Sequence, residues 1–241
     1  MKLTRVSIPS QYVNLCGLTY EGDSHNGICA VVSHGFTASK ESVDLLAAYL
    51  ATKGTRCLTF DARGHKLGST GGVLDSHVSV LVDLQNAVES ARNQFETDQV
   101  LLIGHSMGGI LSMAGALTAN AIGVVVIAAG PDPGAGFRQP AGEAMLAMRS
   151  DYVEGMEPIV WLRKLGELVP AVDNLQHIPT LFIAARGDVL VKASRLQEMA
   201  ERAGDRHTFR EIDGSHLEAP DKARGVVGSW IQKHFVDSVG E

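Results

Sequence analysis

A serine stands in a glycine-flanked pentapeptide near the middle of the chain, Gly104-His105-Ser106-Met107-Gly108. The pentapeptide follows an apolar run at residues 99–103 and precedes a stretch of helical character at residues 110–119. This context predicts a strand, a sharp turn and a helix, with the Ser106 hydroxyl projecting outward at the start of the helix. Glycine is favoured on both sides because it has no side chain to clash in so tight a turn. The pattern indicates a nucleophilic serine.

A serine hydroxyl needs a base that removes its proton during attack, and histidine is the usual base near neutral pH. The chain has nine histidines. We identify His216 as the base because Asp213-Gly214-Ser215-His216 follows the last predicted strand and precedes the last predicted helix. This position places His216 at the carboxyl edge of the sheet, where Ser106 is also expected.

A carboxylate should orient the imidazole and stabilise its protonated form. Asp188 follows a predicted strand at residues 180–185 and is expected at the same edge of the sheet. Asp132 is the alternative acid, although an aspartate between two prolines is more typical of a turn. We favour a catalytic triad of Ser106, Asp188 and His216.

Two backbone N–H groups should bind the oxyanion of a tetrahedral intermediate. One is the N–H of Met107, directly after the nucleophile. The other belongs to the loop after the third predicted strand, where Gly35 allows close approach, and we assign it to Phe36. Such a site is expected to transfer acyl groups through an acyl-enzyme intermediate, and no metal or organic cofactor is expected.

Apolar runs alternate with helical patterns through most of the sequence, which is typical of α/β proteins. Eight strands are predicted, at residues 3–8, 14–20, 28–33, 56–60, 99–103, 123–129, 180–185 and 207–212. Several are continuous runs of Val, Ile, Leu and Ala, as in a parallel sheet covered by helices on both faces. The first two strands are joined by too few residues for a crossover, so they should pair as an antiparallel hairpin.

Residues 131–178 interrupt this alternation and are too many for a single connection between two strands. We interpret them as two or three short helices over the carboxyl ends of the strands, that is, a lid on a core domain of residues 1–130 and 179–241. Some apolar residues of this lid are candidates for binding an acyl or aryl group: Met145, Met148, Met156 and Trp161. Four acids of this segment are expected to form a solvated helix face, the alternative being that one of them binds the amine of a peptide substrate: Glu143, Asp151, Glu154 and Glu157.

Several other polar residues follow strands without an evident place in the triad. The segment Asp61-Ala62-Arg63-Gly64-His65 follows the fourth predicted strand. We interpret it as a turn in which Asp61 and Arg63 form hydrogen bonds with the backbone; the alternative is a role for Arg63 or His65 with an anionic substrate. His34 and His105 flank the proposed catalytic positions and are expected to be packed rather than catalytic.

Composition narrows the range of functions. The 241 residues carry a net charge of −6, and the 21 basic residues are scattered, so neither a nucleic acid nor an anionic membrane is an expected partner. No apolar run is long enough to span a bilayer, and the first residues lack the apolar region of a signal peptide. The three cysteines lie in predicted strands and are expected to be reduced. These features predict a cytoplasmic protein with a small-molecule ester substrate and leave its oligomeric state open.

The combined motifs resemble the α/β-hydrolase superfamily. The matching segments, in order, are His34-Gly35-Phe36-Thr37, Asp61-Ala62-Arg63-Gly64-His65, Gly104-His105-Ser106-Met107-Gly108-Gly109, Gly187-Asp188 and Gly214-Ser215-His216. The pattern is most similar to small carboxylesterases, feruloyl esterases, monoacylglycerol lipases and serine-aminopeptidase-like hydrolases. The resemblance implies an α/β-hydrolase fold with eight mostly parallel strands, the second antiparallel, helices on both faces and a small helical lid.

Other functions of α/β proteins are disfavoured by missing motifs. The sequence has neither the Gly-x-Gly-x-x-Gly pattern of dinucleotide binding after its first strand nor a phosphate-binding P-loop. A serine nucleophile disfavours the aspartate-ester chemistry that the same fold also supports. Ester hydrolysis is the favoured function. The alternatives are an aminopeptidase, amidase or thioesterase with the same triad, and a ligand-binding protein of this fold without turnover.

Overall fold

The computed structural model of the chain describes residues 1–237; residues 238–241, the end of the predicted core domain, lie outside the described residues. Eight strands form a single sheet within residues 1–237: β1 (Lys2–Ser10), β2 (Val13–Glu21), β3 (Cys29–Ser33), β4 (Arg56–Phe60), β5 (Val100–His105), β6 (Gly123–Ile127), β7 (Thr180–Ala185) and β8 (His207–Ile212). Their spatial order is β1-β2-β4-β3-β5-β6-β7-β8. β2 is antiparallel to both neighbours and the other pairs are parallel, which confirms the predicted hairpin and sheet.

Helices cover both faces of this sheet. The α-helices of the described chain are α1 (Asp44–Thr52), α2 (His77–Phe95), α3 (Met107–Gly115), α4 (Pro140–Arg149), α5 (Pro158–Gly166), α6 (Ala193–Glu201) and α7 (Ala219–Ile231). Helices α1 and α7 pack together on one face, where Leu101 and Ile103 of β5 point, whereas Leu102 points into the core on the face of α2 and α3. No helix in the part of the chain described here combines the length and apolarity needed to cross a bilayer.

Two central strands end at other residues than predicted, and both ends shape the site. β5 continues through Gly104 and His105 because these residues pair with Val126 and Ile127 of β6. β6 stops at Ile127, two residues earlier than the sequence pattern predicts, since Ala128 has a φ of 51°. An alanine in this left-handed region leaves the strand geometry. The adjacent ends of β5 and β6 thus turn away from the sheet together.

Residues 131–178 contain α4 and α5 together with three short 3₁₀ segments, Gly136–Arg138, Ser150–Tyr152 and Val169–Asn174. This agrees with the prediction of two or three short helices. The two α-helices differ in how they pack. Helix α5 buries Trp161, Leu162 and Leu165 in the core, whereas α4 buries only Gly142.

The connection between α4 and α5 is fixed to the loop that follows β4. Single β-bridges join Val153 to His65 and Gly155 to Leu74. The Leu74 N–H donates to the Glu154 carbonyl at 2.7 Å. The segment is therefore attached to the core at its middle as well as at both ends.

The turn after β4 is stabilised by two buried acids, one of which the sequence analysis did not identify. The Asp61 carboxylate accepts backbone N–H groups of Lys40 at 2.9 Å and Ser69 at 2.8 Å, as predicted. The prediction for Arg63 was wrong: its Nε and Nη2 donate to the carboxylate of Asp83 in α2, at 2.8 and 2.6 Å, and not to the backbone. Both side chains are fully buried, so each charge must be compensated by the opposite charge of its partner.

The cysteines are free thiols, as expected. Cys29 and Cys57 are buried in neighbouring strands, and Cys16 is half-buried. Burial raises the pKa of the Cys29 thiol to about 12, which keeps it protonated and unreactive.

Candidate active site

Ser106 lies in a strained turn between β5 and α3. Its backbone has φ 53° and ψ −115°, a conformation that costs a non-glycine residue about 1–3 kcal/mol and therefore persists only when its surroundings enforce it. Here the Ser106 N–H donates to the Ile127 carbonyl at 2.8 Å, and its carbonyl accepts the Gly109 N–H at 3.0 Å. The ends of β6 and α3 thus fix the orientation of the serine.

The glycines of the motif are required by the close approach of backbone segments. A Cβ atom on Gly104 would lie 2.0 Å from the Gly108 carbonyl oxygen, and one on Gly108 would lie 2.3 Å from the Ser33 carbonyl oxygen. Real Cβ atoms do not come so close to backbone, so any side chain here would displace the turn that carries Ser106. This is the steric reason predicted from the sequence.

His216 and Asp188 are in direct contact. The His216 Nδ1–H donates to Asp188 Oδ2 at 2.7 Å, and the two side chains are 7% and 1% exposed. The other carboxylate oxygen, Oδ1, accepts the N–H groups of Leu190 at 2.8 Å and Val191 at 2.9 Å. The carboxylate is therefore held on both sides. With its Nδ1 proton engaged, the imidazole can accept a proton at Nε2.

Asp132, the alternative acid, has different partners. Its carboxylate forms an ion pair with Arg138 and accepts the Gly134 N–H at 3.1 Å. It acts as a turn former at the start of residues 131–178. The geometry therefore brings Asp188, and not Asp132, to His216.

Ser106 and His216 line the same pocket, whose volume is about 190 Å³. Among the described residues, the Ser106 hydroxyl and the His216 ring do not form a hydrogen bond of normal distance and angle. Hydrogen bonds of catalytic groups often tighten only when a substrate is bound. The absence of this hydrogen bond is therefore compatible with transfer of a proton between Ser106 and His216.

The two expected oxyanion donors lie beside Ser106. The loop that carries Phe36 approaches the serine so closely that a Cβ atom on Gly35 would be 3.3 Å from the Ser106 Cβ. Met107 is the first residue of α3. Neither the Phe36 N–H nor the Met107 N–H has a hydrogen-bond acceptor in the part of the chain that the structure describes. Both can therefore bind a ligand oxygen.

The histidines near Ser106 and His216 are buried and neutral. His34 donates from Nδ1 to the Gly35 carbonyl at 2.8 Å and accepts the Ala62 N–H at Nε2, at 3.0 Å. His105 donates from Nε2 to the His216 carbonyl at 2.9 Å. Burial lowers the pKa of both rings. They hold the Gly35 loop and the backbone of His216, as packed residues rather than proton-transfer groups.

His65 is also buried, and desolvation lowers its pKa to about 3. Its Nδ1 contacts the carbonyl oxygen of Arg63 at 3.1 Å, and its ring packs edge-on against His34. Neither His65 nor Arg63 lines the Ser106 pocket. The contacts of this turn are therefore structural, through Asp61 as predicted and through the Arg63–Asp83 ion pair that was not predicted.

Of the four apolar lid candidates, the structure brings only Met145 to the Ser106 pocket. Met148 does not line the pocket and is 74% exposed, although it lies only three residues after Met145 in α4. Met156 packs against the core, and Trp161 is fully buried in it, so neither reaches the pocket. The spacing of methionines along the sequence does not reveal which of them faces Ser106 and His216.

The four lid acids also lie away from the Ser106 pocket: Glu143, Asp151, Glu154 and Glu157 are not among its lining residues. Asp151 and Glu154 form ion pairs with Lys66, at 2.8 and 3.2 Å.

The pocket residues that the sequence analysis missed include Phe137, Arg149 and Leu190. A signal for two of them was present. Arg149 follows Met145 by four residues and so shares its helix face, and Leu190 directly follows the loop of Asp188. Phe137 has no such signal. Within the described residues, no group of His, Cys, Asp and Glu side chains has the arrangement of a metal site.

Comparison with known proteins places this geometry in context. Residues 30–226 match the model of the "Alpha/beta hydrolase family". No curated protein matches the chain in sequence. The chain resembles an esterase from Pyrococcus furiosus with a TM-score of 0.74 and 21% identity, over 96% of this chain and 90% of that one.

Two further solved structures are similar. A thioesterase domain from the curacin biosynthetic pathway has a TM-score of 0.70 and 16% identity, over 96% of this chain and 99% of that one. A serine hydrolase without a lid from Xanthomonas campestris has a TM-score of 0.68 and 17% identity, over 97% of this chain and 95% of that one. At such identities the likeness shows a shared fold, whereas the activities named are those of the other proteins.

Proposed function

The chain belongs to the alpha/beta hydrolase family, and we propose that it is a serine carboxylesterase with a catalytic triad of Ser106, His216 and Asp188. The observation that carries the proposal is the 2.7 Å contact between His216 Nδ1 and Asp188 Oδ2, beside a serine held in a strained turn. A buried carboxylate that orients an imidazole next to an accessible hydroxyl is the arrangement that activates serine as a nucleophile.

In the acylation step, the Ser106 oxygen attacks the ester carbonyl carbon and its proton passes to His216 Nε2. The bond between the carbonyl carbon and the alcohol oxygen then breaks, and His216 returns the proton to the departing alcohol. Asp188 stabilises the imidazolium that exists between these transfers. The Phe36 and Met107 N–H groups bind the negative oxygen of the tetrahedral intermediate.

In the deacylation step, water replaces the alcohol. The oxygen of the water attacks the acyl carbon while His216 Nε2 takes a proton from the water. The bond between the acyl carbon and the Ser106 oxygen then breaks, and the proton passes from His216 to the serine oxygen. The acid product leaves and the site returns to its initial state. Apart from the water molecule, these steps use side chains and backbone groups of this chain.

We propose that residues 131–178 are the lid of this site. Of the four apolar residues predicted from the sequence to bind substrate, we retain this role for Met145. The cytoplasmic location remains a prediction from the sequence.

The alternative functions receive less support from the pocket. An aminopeptidase needs an acid for the substrate amine, and none of the four lid acids lines the pocket. No feature of the pocket favours an amide or thioester over an ester. A binding protein without turnover would not need the buried His216–Asp188 pair beside the Ser106 turn.

The test is hydrolysis of p-nitrophenyl esters by the wild-type protein and by Ser106→Ala. Loss of the nucleophile is expected to lower kcat by roughly 10⁴- to 10⁶-fold. Ser112→Ala is the matched control, because Ser112 lies in α3, the helix that Ser106 precedes, and its buried hydroxyl has no hydrogen-bond partner among the described residues. Equal rates for wild type and Ser106→Ala would refute the proposal.

A further inference from the structure

The Ser106 pocket contains one permanently charged side chain among its described lining residues, Arg149 at the end of α4. Met145 lies one helical turn earlier and lines the same pocket, so this face of α4 is directed at the catalytic residues. The guanidinium is therefore placed where a bound substrate would contact it.

Arg149 has no carboxylate partner among the described residues. Its Nη1 lies 3.4 Å from the Thr37 hydroxyl, which is a long contact, and its guanidinium lies 5.5 Å from the centre of the Tyr152 ring. Arg138 in the same segment, in contrast, is paired with Asp132. A half-buried guanidinium with five N–H donors and so few acceptors retains the capacity to bind an anion.

The space around Ser106 has two parts of different chemistry. One is a cavity of about 20 Å³ beside Ile110, Leu162 and Val191, which is apolar and holds only a small group. The other is the pocket of about 190 Å³, where Arg149 is accompanied by the loop residues Thr37 and Ser39. The two parts meet at Ser106 and His216, so an ester positioned for attack extends one substituent into each.

We propose that Arg149 is a specificity-determining residue that binds a carboxylate of the substrate, so that the preferred substrates are esters with a carboxylate on one half and a small apolar group on the other. This inference rests on the proposed esterase function. A planar guanidinium and a carboxylate form two parallel hydrogen bonds, which fixes both the position and the orientation of the substrate.

The experiment compares two pairs of esters, each pair matched in size. Monomethyl adipate and methyl hexanoate place the charge, or its neutral counterpart, on the acyl half and keep the alcohol half small. Acetoxybenzoate and acetoxybenzamide, substituted at the 4-position, do the same for the alcohol half. The wild type is expected to prefer the anionic member of one pair, and that pair identifies the half that Arg149 binds.

The variants are Arg149→Gln, which removes the charge, and Arg149→Lys, which keeps it without the planar geometry. Arg149→Gln is expected to lower the ratio of kcat/KM for the anionic ester over the neutral ester by roughly 10- to 100-fold. Arg149→Lys should restore part of that ratio. Arg163→Gln is the control, because Arg163 is an exposed arginine of the same segment that does not line the pocket; its ratio should match wild type.

An unchanged ratio in Arg149→Gln, or a wild type that prefers the neutral ester in both pairs, would overturn the assignment of Arg149. The second result requires no variant and so remains decisive if Arg149→Gln does not fold. Hydrolysis of neutral esters that depends on Ser106 but shows no charge preference would refute only this inference. No Ser106-dependent hydrolysis of either pair would refute the proposed function itself.

Discussion

The substitution Asp188→Asn tests how the carboxylate controls the proton of His216. The amide has nearly the same size and shape as the carboxylate, but only one of its two terminal atoms accepts hydrogen bonds. At this position the acceptor is required by the N–H groups of Leu190 and Val191, which donate to Oδ1 at 2.8 and 2.9 Å. The NH₂ group must then face the His216 ring.

The consequence is a change of tautomer. The amide NH₂ donates to His216 Nδ1, so the ring proton moves to Nε2, and the nitrogen that faces Ser106 can no longer accept a proton. Reversal of the amide would place NH₂ against two N–H donors and lose two hydrogen bonds, at about 1 kcal/mol each in addition to the repulsion. The wrong tautomer is therefore favoured, and kcat should fall by about 10⁴-fold, or roughly 5.5 kcal/mol in activation free energy.

The assay is the initial rate of p-nitrophenyl ester hydrolysis at pH 8, with the melting temperature measured on the same sample to verify folding. Asp132→Asn is the matched control, since Asp132 contacts Arg138 and not His216; its kcat should stay within about twofold of wild type. A fall of less than tenfold in Asp188→Asn would refute the tautomer argument. A fall of similar size in both variants would show that the assay responds to stability instead.

The remaining predictions concern stability. Gly104→Ala would bring a methyl group to 2.0 Å from the Gly108 carbonyl oxygen, so we expect a loss of about 3 kcal/mol or more in the urea-measured free energy of unfolding. Gly71→Ala, where no atom lies within 4 Å, should stay within about 0.5 kcal/mol, and equal losses in the two would contradict the steric explanation. His65 has a pKa of about 3 when folded and so stays neutral while the unfolded chain takes up a proton below about pH 6.5. The unfolded state then binds more protons, and this group should lower stability by about 1.4 kcal/mol per pH unit as the pH falls from about 6.5 towards 3. His65→Gln should reduce the slope of the free energy of unfolding against pH by that amount. An unchanged slope would show that His65 is not the group responsible.

The sheet could be predicted from the sequence because its strands are continuous apolar runs of the length that a strand requires. Their ends were less predictable, since they depend on partners. β5 extends to His105 only because β6 offers Val126 and Ile127 for pairing, and β6 ends where Ala128 adopts a positive φ. Neither condition is visible in a single segment of the sequence.

The candidate triad could be predicted because each member follows a strand, and the ends of parallel strands meet at one edge of the sheet. Residues whose role depends on the path of a distant segment could not. The role of Arg63 depends on Asp83, which lies on the buried face of α2. The role of Arg149 depends on the direction in which α4 crosses the site. Such contacts join elements without a local sequence pattern.

Helix α4 contributes Met145 and Arg149 to the pocket although Gly142 is its only buried residue. Substitutions along this helix therefore face little selection from the core, whereas those in α5 would disturb the packing of Trp161. Substrate choice can consequently diverge among related chains through changes in α4 alone, while the reacting groups and the folding of the domain are preserved. Exchange of this one helix between related hydrolases is a direct route to new specificity in the laboratory.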